Sequence, residues 1–230
     1  FYIALPPQTF EKGFTVDIEC DNYNPMTLST TNTLTIKRNH IQPMASVEHN
    51  AEQIIPNNEI WYTNGSTTEA TTPDSTTAFG ANIVSNTYDA AKECWVIKFD
   101  GEVTSIGYEA FSGCSSLTSI TIPDSVTTIG SAFQGCDYLT DITIGSGVTN
   151  IGENAFEECT RLTNVYVADI ASWCKINFNG TAWGTSNANP LNYTANLYVD
   201  GELLTDLVIP EGVTKIGQYA FKDYRKLTSV

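Results

Sequence analysis

The chain has 230 residues, of which 41% are hydrophobic, and this is enough apolar side chain for a buried core. Its 26 acidic residues outnumber its 11 lysines and arginines, and the formal net charge is −15. Affinity for nucleic acid and for anionic lipid depends on clustered basic side chains, so this composition excludes both partners.

Composition and the first residues also bear on the location of the protein. No stretch of about 18 apolar residues occurs, so we expect no membrane insertion of this segment. The start, FYIALPPQTF, lacks the basic region and cleavage site of a signal peptide, which indicates a mature form or the interior of a longer chain. The low charged fraction of 16%, with many Thr, Ser and Asn residues, is typical of exported all-β proteins.

Residues 1–50 predict an antiparallel β segment. Apolar residues alternate with polar ones at two places, which are Phe14, Val16, Ile18 and Cys20, then Leu34 and Ile36. The string DNYNP between them predicts a turn, so the two stretches form a hairpin or a pair of edge strands. The strings YIALPPQTF, FTVDIEC and LTIKRNHIQPM resemble the last strands of fimbrillin-like β-sandwich domains. This resemblance covers residues 1–48 and implies a structural, pilus-type role.

Residues 51–98 predict a junction between the β segment and the rest of the chain. Residues 60–62 and 94–97 are rich in aromatic and β-branched side chains and predict strands. The Ser/Thr-rich string STTEATTPDSTTAFG between them predicts a mobile loop. Because a stack of repeats needs a cover over its first coil, this segment is expected to be an N-terminal cap.

Residues 99–230 contain an internal repeat. The string VTSIGYEAFSGCSSLTSITIP begins at Val103, and related strings begin at Val126, Val148 and Val213. The first three copies follow one another at about 22 residues, which is in the range of solenoid repeats. The second copy is one residue short before Ala132, and a long insertion separates the third copy from the fourth.

Each repeat has the pattern of one coil with a buried inner face. The segments 117–122, 139–144, 162–167 and 204–209 have alternating apolar residues and predict short parallel strands at about 4.8 Å spacing. An Ala-Phe pair in each copy predicts a ladder of stacked rings, and its phenylalanines are Phe111, Phe133, Phe156 and Phe221. A glycine follows the isoleucine of each copy, and it predicts a bend or a close backbone approach.

One cysteine recurs at the same position of three copies, as Cys114, Cys136 and Cys159, and Tyr224 replaces it in the fourth. Free cysteine is among the most buried residue types, so these thiols are predicted to be buried and reduced. The alternative is a metal site. No C-x-x-C motif and only two histidines, His40 and His49, are present, so we expect no metal and no other cofactor.

The repeat pattern V-x-x-I-G-x-x-A-F-x-x-C-x-x-L-x-x-I-x-I-P resembles the BspA-type leucine-rich repeats of bacterial surface proteins. The resemblance covers residues 99–230. It implies a mainly β fold, a leucine-rich-repeat solenoid with short parallel strands preceded by the antiparallel β segment. It also implies export to the cell surface, a role in adhesion, and no catalytic residues.

Residues 169–203 are predicted to form one irregular, longer coil. The string DIASWCKINF predicts a short helical turn followed by a strand, and Trp173 and Trp183 are expected to pack rather than to bind sugar. Segments 197–199 and 202–204 flank Asp200-Gly201, a two-residue hairpin signal. After it, 204–209 is expected to return to the register of the repeat.

The chain has none of the motifs of the common hydrolases, nucleotide-binding proteins or metalloproteases, so we expect a non-enzymatic protein. The expected binding surface is the outward face of the solenoid sheet, where side chains alternate with the buried isoleucines. Its residues are Ser119, Thr121, Asp141, Thr143, Asn164, Tyr166, Asp206 and Val208.

Three functions remain open for this face. The first is a bacterial cell-surface adhesion or protein-binding module, with a host or bacterial surface protein or glycan as partner. A carbohydrate-binding surface protein is the second, although Tyr166 is the only aromatic residue in the predicted row. A structural pilus-type subunit is the third, and it depends on the resemblance of residues 1–48. The sequence predicts a secreted or cell-surface location and leaves the oligomeric state open.

Overall fold

The structure is a computed structural model, and it describes four strands within residues 1–54 together with residues 55–73, 75–179, 188–193 and 195–229. The chain divides into two units, Phe1–Ile54 and Ile55–Val230. No helix of the described residues is long and apolar enough to span a membrane.

The first unit contains two antiparallel strand pairs. Strand β1 (Gln8–Phe10) pairs with β4 (Leu34–Ile36), and β2 (Phe14–Ile18) pairs with β3 (Met26–Thr30). The expected antiparallel segment is therefore present. Of the two arrangements expected for the stretches at 14–20 and 34–36, the direct hairpin is wrong, because β2 pairs with β3, which follows the DNYNP string directly and makes the shorter connection. The residues that would test the fimbrillin-like resemblance, including Cys20, lie largely outside the described ones.

The second unit begins with three antiparallel strands, β5 (Glu59–Thr63), β6 (Ile83–Asp89) and β7 (Cys94–Phe99), in the order β5-β7-β6. The strands predicted at 60–62 and 94–97 are confirmed. Strand β6 was not predicted, because the polar stretch Ser-Asn-Thr interrupts its apolar residues.

These strands cover the first coil of the solenoid. Strand β5 pairs antiparallel with β9 (Ser119–Thr121), and the amide of Thr118 donates to the carbonyl of Thr63 at 2.8 Å. The Ser/Thr-rich segment was expected to be a mobile loop, but two of its residues are held against the solenoid. The Thr71 hydroxyl lies 2.9 Å from that of Ser116, and Phe79 is fully buried against the core.

The solenoid has two parallel sheets, and each of four coils contributes one strand to each. The first sheet contains the short strands β8 (Ser105–Ile106), β10 (Thr128–Ile129), β12 (Asn150–Ile151) and β14 (Asn177–Phe178). The second contains β9, β11 (Asp141–Ile144), β13 (Asn164–Val167) and β15 (Asn196–Val199), and it continues into the three cap strands. The mainly β solenoid is thereby confirmed, as is the parallel pairing of the first three predicted strands.

The segment 169–203 supplies a complete coil of its own. Helix α1 (Ile170–Lys175) begins at Asp169, whose carboxylate accepts from the Ser172 amide at 2.6 Å, and β14 follows it as expected. Trp173 is fully buried, as predicted, and its indole donates to the Ala220 carbonyl at 3.0 Å. Trp183 lies outside the described residues.

The expected place of 204–209 was wrong. Strand β15, from within the insertion, is the parallel neighbour of β13, and β16 (Glu202–Leu203) returns antiparallel to β15. The hairpin signal at Asp200-Gly201 is confirmed, and both residues have the positive φ of a tight turn, 51° and 76°. Because the hairpin covers the edge of β15, residue Asp206 instead forms a parallel bridge with Ser229.

The predicted phenylalanine ladder forms the centre of the core. The ring of Phe133 stacks between Phe111 at 5.6 Å and Phe156 at 5.4 Å, with interplanar angles of 5° and 10°. All three are fully buried, and Phe79 of the cap extends the ladder edge-on at 5.8 Å from Phe111. Phe221 of the last coil is only half-buried.

The cysteine column follows the same coils. The described cysteines form no disulfide, and the thiols of Cys136 and Cys159 are fully buried, each donating to the phenylalanine carbonyl of the preceding coil, at 3.0 and 3.1 Å. Burial raises the pKa of the Cys159 thiol to about 12. Cys114 is also free, as predicted, but it is only half-buried, so the prediction of burial was wrong for this thiol. Tyr224 is buried as expected and donates to the Leu204 carbonyl at 2.7 Å.

Candidate binding face

The outward face of the second sheet carries two aligned columns of side chains. The strands alternate strictly, so that Ile120, Ile142 and Val165 point into the core while their neighbours point outward. Parallel register then aligns equivalent outward residues across the strands. The polar column consists of Ser119, Asp141, Asn164 and Asn196, and the tyrosine column consists of Thr121, Thr143, Tyr166 and Tyr198.

Six of the eight residues predicted for the face lie in these columns, and Asp206 and Val208 do not. Their places are taken by Asn196 and Tyr198, which sequence reasoning missed. A signal was present, because Asn-Leu-Tyr-Val at 196–199 repeats the Asn-Val-Tyr-Val of 164–167. Both residues belong to the segment that the sequence predicts as an irregular coil, because no leucine stands three residues before Leu197 as it does in the other strands.

Hydrogen bonds connect three of the four residues of the polar column. The Asn196 amide donates to the Asn164 side-chain oxygen at 3.1 Å, and the Asn164 amide donates to Asp141 at 2.8 Å. Asp141 also accepts from the Thr140 hydroxyl at 2.6 Å and from the Tyr166 hydroxyl at 3.4 Å. Its carboxylate is thus held by three donors of the protein itself, which fixes the column without a bound partner.

The tyrosine column ends in a stacked aromatic pair. The rings of Tyr166 and Tyr198 lie 4.9 Å apart with an interplanar angle of 19°. This distance equals the usual spacing of neighbouring strands, so the two rings cover one face of each other. Partial burial raises the pKa of the Tyr166 phenol, and the charge of Asp141 adds to the shift, so this phenol stays neutral and able to donate.

The two columns differ in whether their polar groups already have hydrogen-bond partners. The Tyr198 hydroxyl has no hydrogen-bond partner among the described residues, whereas that of Tyr166 is directed to Asp141. In the antiparallel hairpin Tyr198 pairs with Leu203, whose side chain is 39% exposed. The face therefore offers a fixed polar row beside an amphipathic row that ends at an exposed aliphatic side chain.

Metal-binding and nucleophilic groups are sparse in the part of the chain that the structure describes. No group of three or more His, Cys, Asp or Glu side chains there could hold a metal ion. Desolvation raises the pKa of the thiols of Cys94, Cys136, Cys159 and Cys174, which makes them poor nucleophiles. His40 and His49 lie outside the described residues.

Comparisons with known proteins agree with the repeat pattern. A family model described as the BspA type leucine rich repeat region matches six copies over residues 81–182 and 194–230. This match begins earlier than the predicted 99–230 and includes β6 and β7. No curated protein matches the sequence.

Two solved structures are similar to part of the chain. A leucine-rich repeat protein of T. pallidum is 28% identical over 56% of this chain and 53% of that one, with a TM-score of 0.32. A leucine-rich repeat protein from Bacteroides ovatus is 29% identical over 56% of this chain and 29% of that one, with a TM-score of 0.31. The chain thus spans about half of the first protein and less than a third of the second.

Proposed function

This chain belongs to the BspA-type leucine-rich repeat family, and from that premise we propose that it is a protein-binding module of a bacterial surface protein. The binding site is the outward face formed by the polar and tyrosine columns. The partner is a protein on a host or bacterial surface, bound outside the cell, and the module has no catalytic role.

The aligned tyrosine column is the observation that carries this proposal. A solenoid holds equivalent side chains in a rigid row, so binding costs little additional ordering of the protein. Tyrosine is enriched among the residues that dominate protein interfaces, because it buries a large ring while its hydroxyl still forms a hydrogen bond. The pair Tyr166 and Tyr198 is ordered by stacking before any partner arrives.

Carbohydrate binding is the second candidate, because the structure adds Tyr198 to a row in which the sequence indicated one aromatic residue. Sugar rings pack against the open faces of aromatic rings. Here one face of each ring, of Tyr166 and of Tyr198, is covered by the other ring, which leaves less open aromatic surface for a sugar. This geometry favours a protein partner over a glycan. The pilus-type role depends on residues 1–48 and gains no support from the described face.

Capture of a partner tests the proposal. The full chain is probed against arrays of host matrix proteins, bacterial surface proteins and glycans, and each retained partner is titrated with two variants. Tyr198→Ala is expected to weaken binding of a protein partner by about 1–2 kcal/mol. The control is Tyr108→Ala, since Tyr108 is 67% exposed but lies outside both columns. Equal affinity of the two variants, or retention of glycans alone, would contradict the proposal.

A further inference from the structure

A shallow groove lies at the end of the tyrosine column. It has a volume of about 340 Å³, and we name it the Leu203 groove. Its lining residues are Ile170, Val199, Glu202, Leu203, Leu204, Thr205, Asp206 and Val208. Val208 is 76% exposed and Leu203 is 39% exposed, so large aliphatic side chains face water here. Because Leu203 pairs with Tyr198, the groove adjoins the tyrosine column.

The charged residues of the groove are both acidic. Glu202 and Asp206 are exposed, and no lysine or arginine is among the lining residues. Hydrogen bonds from the hydroxyls of Ser229 and Thr228 lower the pKa of Asp206, so its carboxylate is charged at neutral pH. The groove therefore combines aliphatic walls with two carboxylates, in a protein whose net charge is −15.

We propose that the Leu203 groove receives an arginine or lysine side chain of the protein partner. A basic side chain has an aliphatic stem that packs on apolar surface and a charged end that stays near carboxylates and water. In the groove, Leu203 and Val208 would pack against the stem. The carboxylates of Glu202 and Asp206 would attract the charged end. This inference depends on the proposed function, because it places the side chain beside a partner segment that crosses Tyr198. It also gives a role to Asp206 and Val208, which lie outside the two columns.

The test uses small probes, so that it needs no identified partner. The full chain, labelled with ¹⁵N, is titrated with N-acetyl-arginine amide and with N-acetyl-citrulline amide, which has the same stem without the charge. The arginine probe is expected to shift the amide signals of residues 199–208 and to bind at least twice as tightly as citrulline, with an advantage that falls as salt increases. Equal shifts from both probes, or shifts elsewhere, would overturn the proposal.

Two matched double variants separate the groove from overall charge. Glu202→Gln with Asp206→Asn is expected to weaken the arginine probe by about two- to fivefold, the range of exposed ion pairs. Asp137→Asn with Glu153→Gln removes the same charge from exposed sites outside the groove and is expected to leave affinity unchanged. Equal weakening by both double variants would show that affinity depends on net charge and not on the groove, and this would overturn the proposal. If Tyr198→Ala still weakens a captured protein, the proposed function stands without the groove.

Discussion

At the scale of single residues, a left-handed backbone occurs directly before the repeated cysteine and before Tyr224, which replaces it in the last copy. Four residues adopt this backbone, with φ between 61° and 72°, and they are Gly113, Gly135, Glu158 and Asp223. Glycine adopts this conformation without strain, whereas a side chain there crowds the backbone. Two coils thus use the favourable residue and two carry strain. The sequence left two roles open for the glycine after the repeated isoleucine, a bend or a close backbone approach. The structure supports the close approach, since a Cβ at Gly152 would lie 3.2 Å from the Gly130 backbone.

Gly135→Ala is therefore expected to lower the free energy of unfolding by about 1 kcal/mol, through backbone conformation alone. A Cβ at this position would be 3.6 Å from the nearest atom outside its own neighbours in the chain, so contact with other coils adds nothing. Gly101→Ala is the control, because Gly101 has no positive φ and its Cβ would also meet only ordinary contact at 3.8 Å. Urea unfolding measures both variants, and an equal loss in the two would show that the left-handed backbone is not the cause.

At the scale of elements, one side chain caps the N-terminus of the helix in the insertion. Asp169 accepts from the amide of Ser172 at 2.6 Å and from its hydroxyl at 3.0 Å, which satisfies a donor at the start of α1. The helix has only six residues, so its own hydrogen bonds cannot sustain it, and it is held by this cap and by the burial of Trp173.

Asp169→Ala is expected to destabilise the protein by about 1 kcal/mol, because the first turn of α1 loses its acceptor. Asp169→Asn keeps a side-chain oxygen at the same place and is expected to cost less than half as much. Thermal unfolding of the two variants provides the comparison. If asparagine and alanine are equally harmful, the carboxylate acts through its charge and not as a cap.

The regular elements could be predicted from the sequence, and the irregular ones only in part. The strands of the first three coils repeat the same alternation, so a common register followed from Ile120, Ile142 and Val165. Strand β15 was predicted only as an arm of the hairpin. Its place beside β13 was missed because Leu197 stands alone, without the leucine that precedes the other strands by three residues. Stacking of Tyr198 on Tyr166 depends on which strands become neighbours, and this is decided by the packing of the whole insertion.

At the scale of the whole molecule, the solenoid unit is a linear stack in which each coil contacts only its neighbours. Stability of such an array is close to a sum over coils and their interfaces. The stacked rings of Phe111, Phe133 and Phe156 connect three coils, while the ring of Phe221 near the end is half-buried. Damage to a central ring should therefore spread to both neighbouring coils.

Phe133→Ala is expected to cost about 3–5 kcal/mol, since it leaves a cavity between two stacked rings. The control, Phe221→Ala, removes a half-buried ring and is expected to cost clearly less. Hydrogen exchange should show faster opening of β9, β11 and β13 in the first variant, with the cap strands β6 and β7 less affected. An unchanged melting temperature for Phe133→Ala would mean that the ring ladder does not form the core.

The proposed binding face extends over the whole second sheet of the solenoid, and a substitution at its centre tests it most directly. Thr143→Arg places a long charged side chain in the middle of the tyrosine column, while Thr128→Arg makes the same change on an exposed residue of the other parallel sheet. The measurement is the affinity of both variants for the surface protein retained by the wild-type chain. We expect a loss of at least about tenfold for Thr143→Arg and wild-type affinity for Thr128→Arg. Wild-type affinity for Thr143→Arg, or an equal loss in both, would contradict the account.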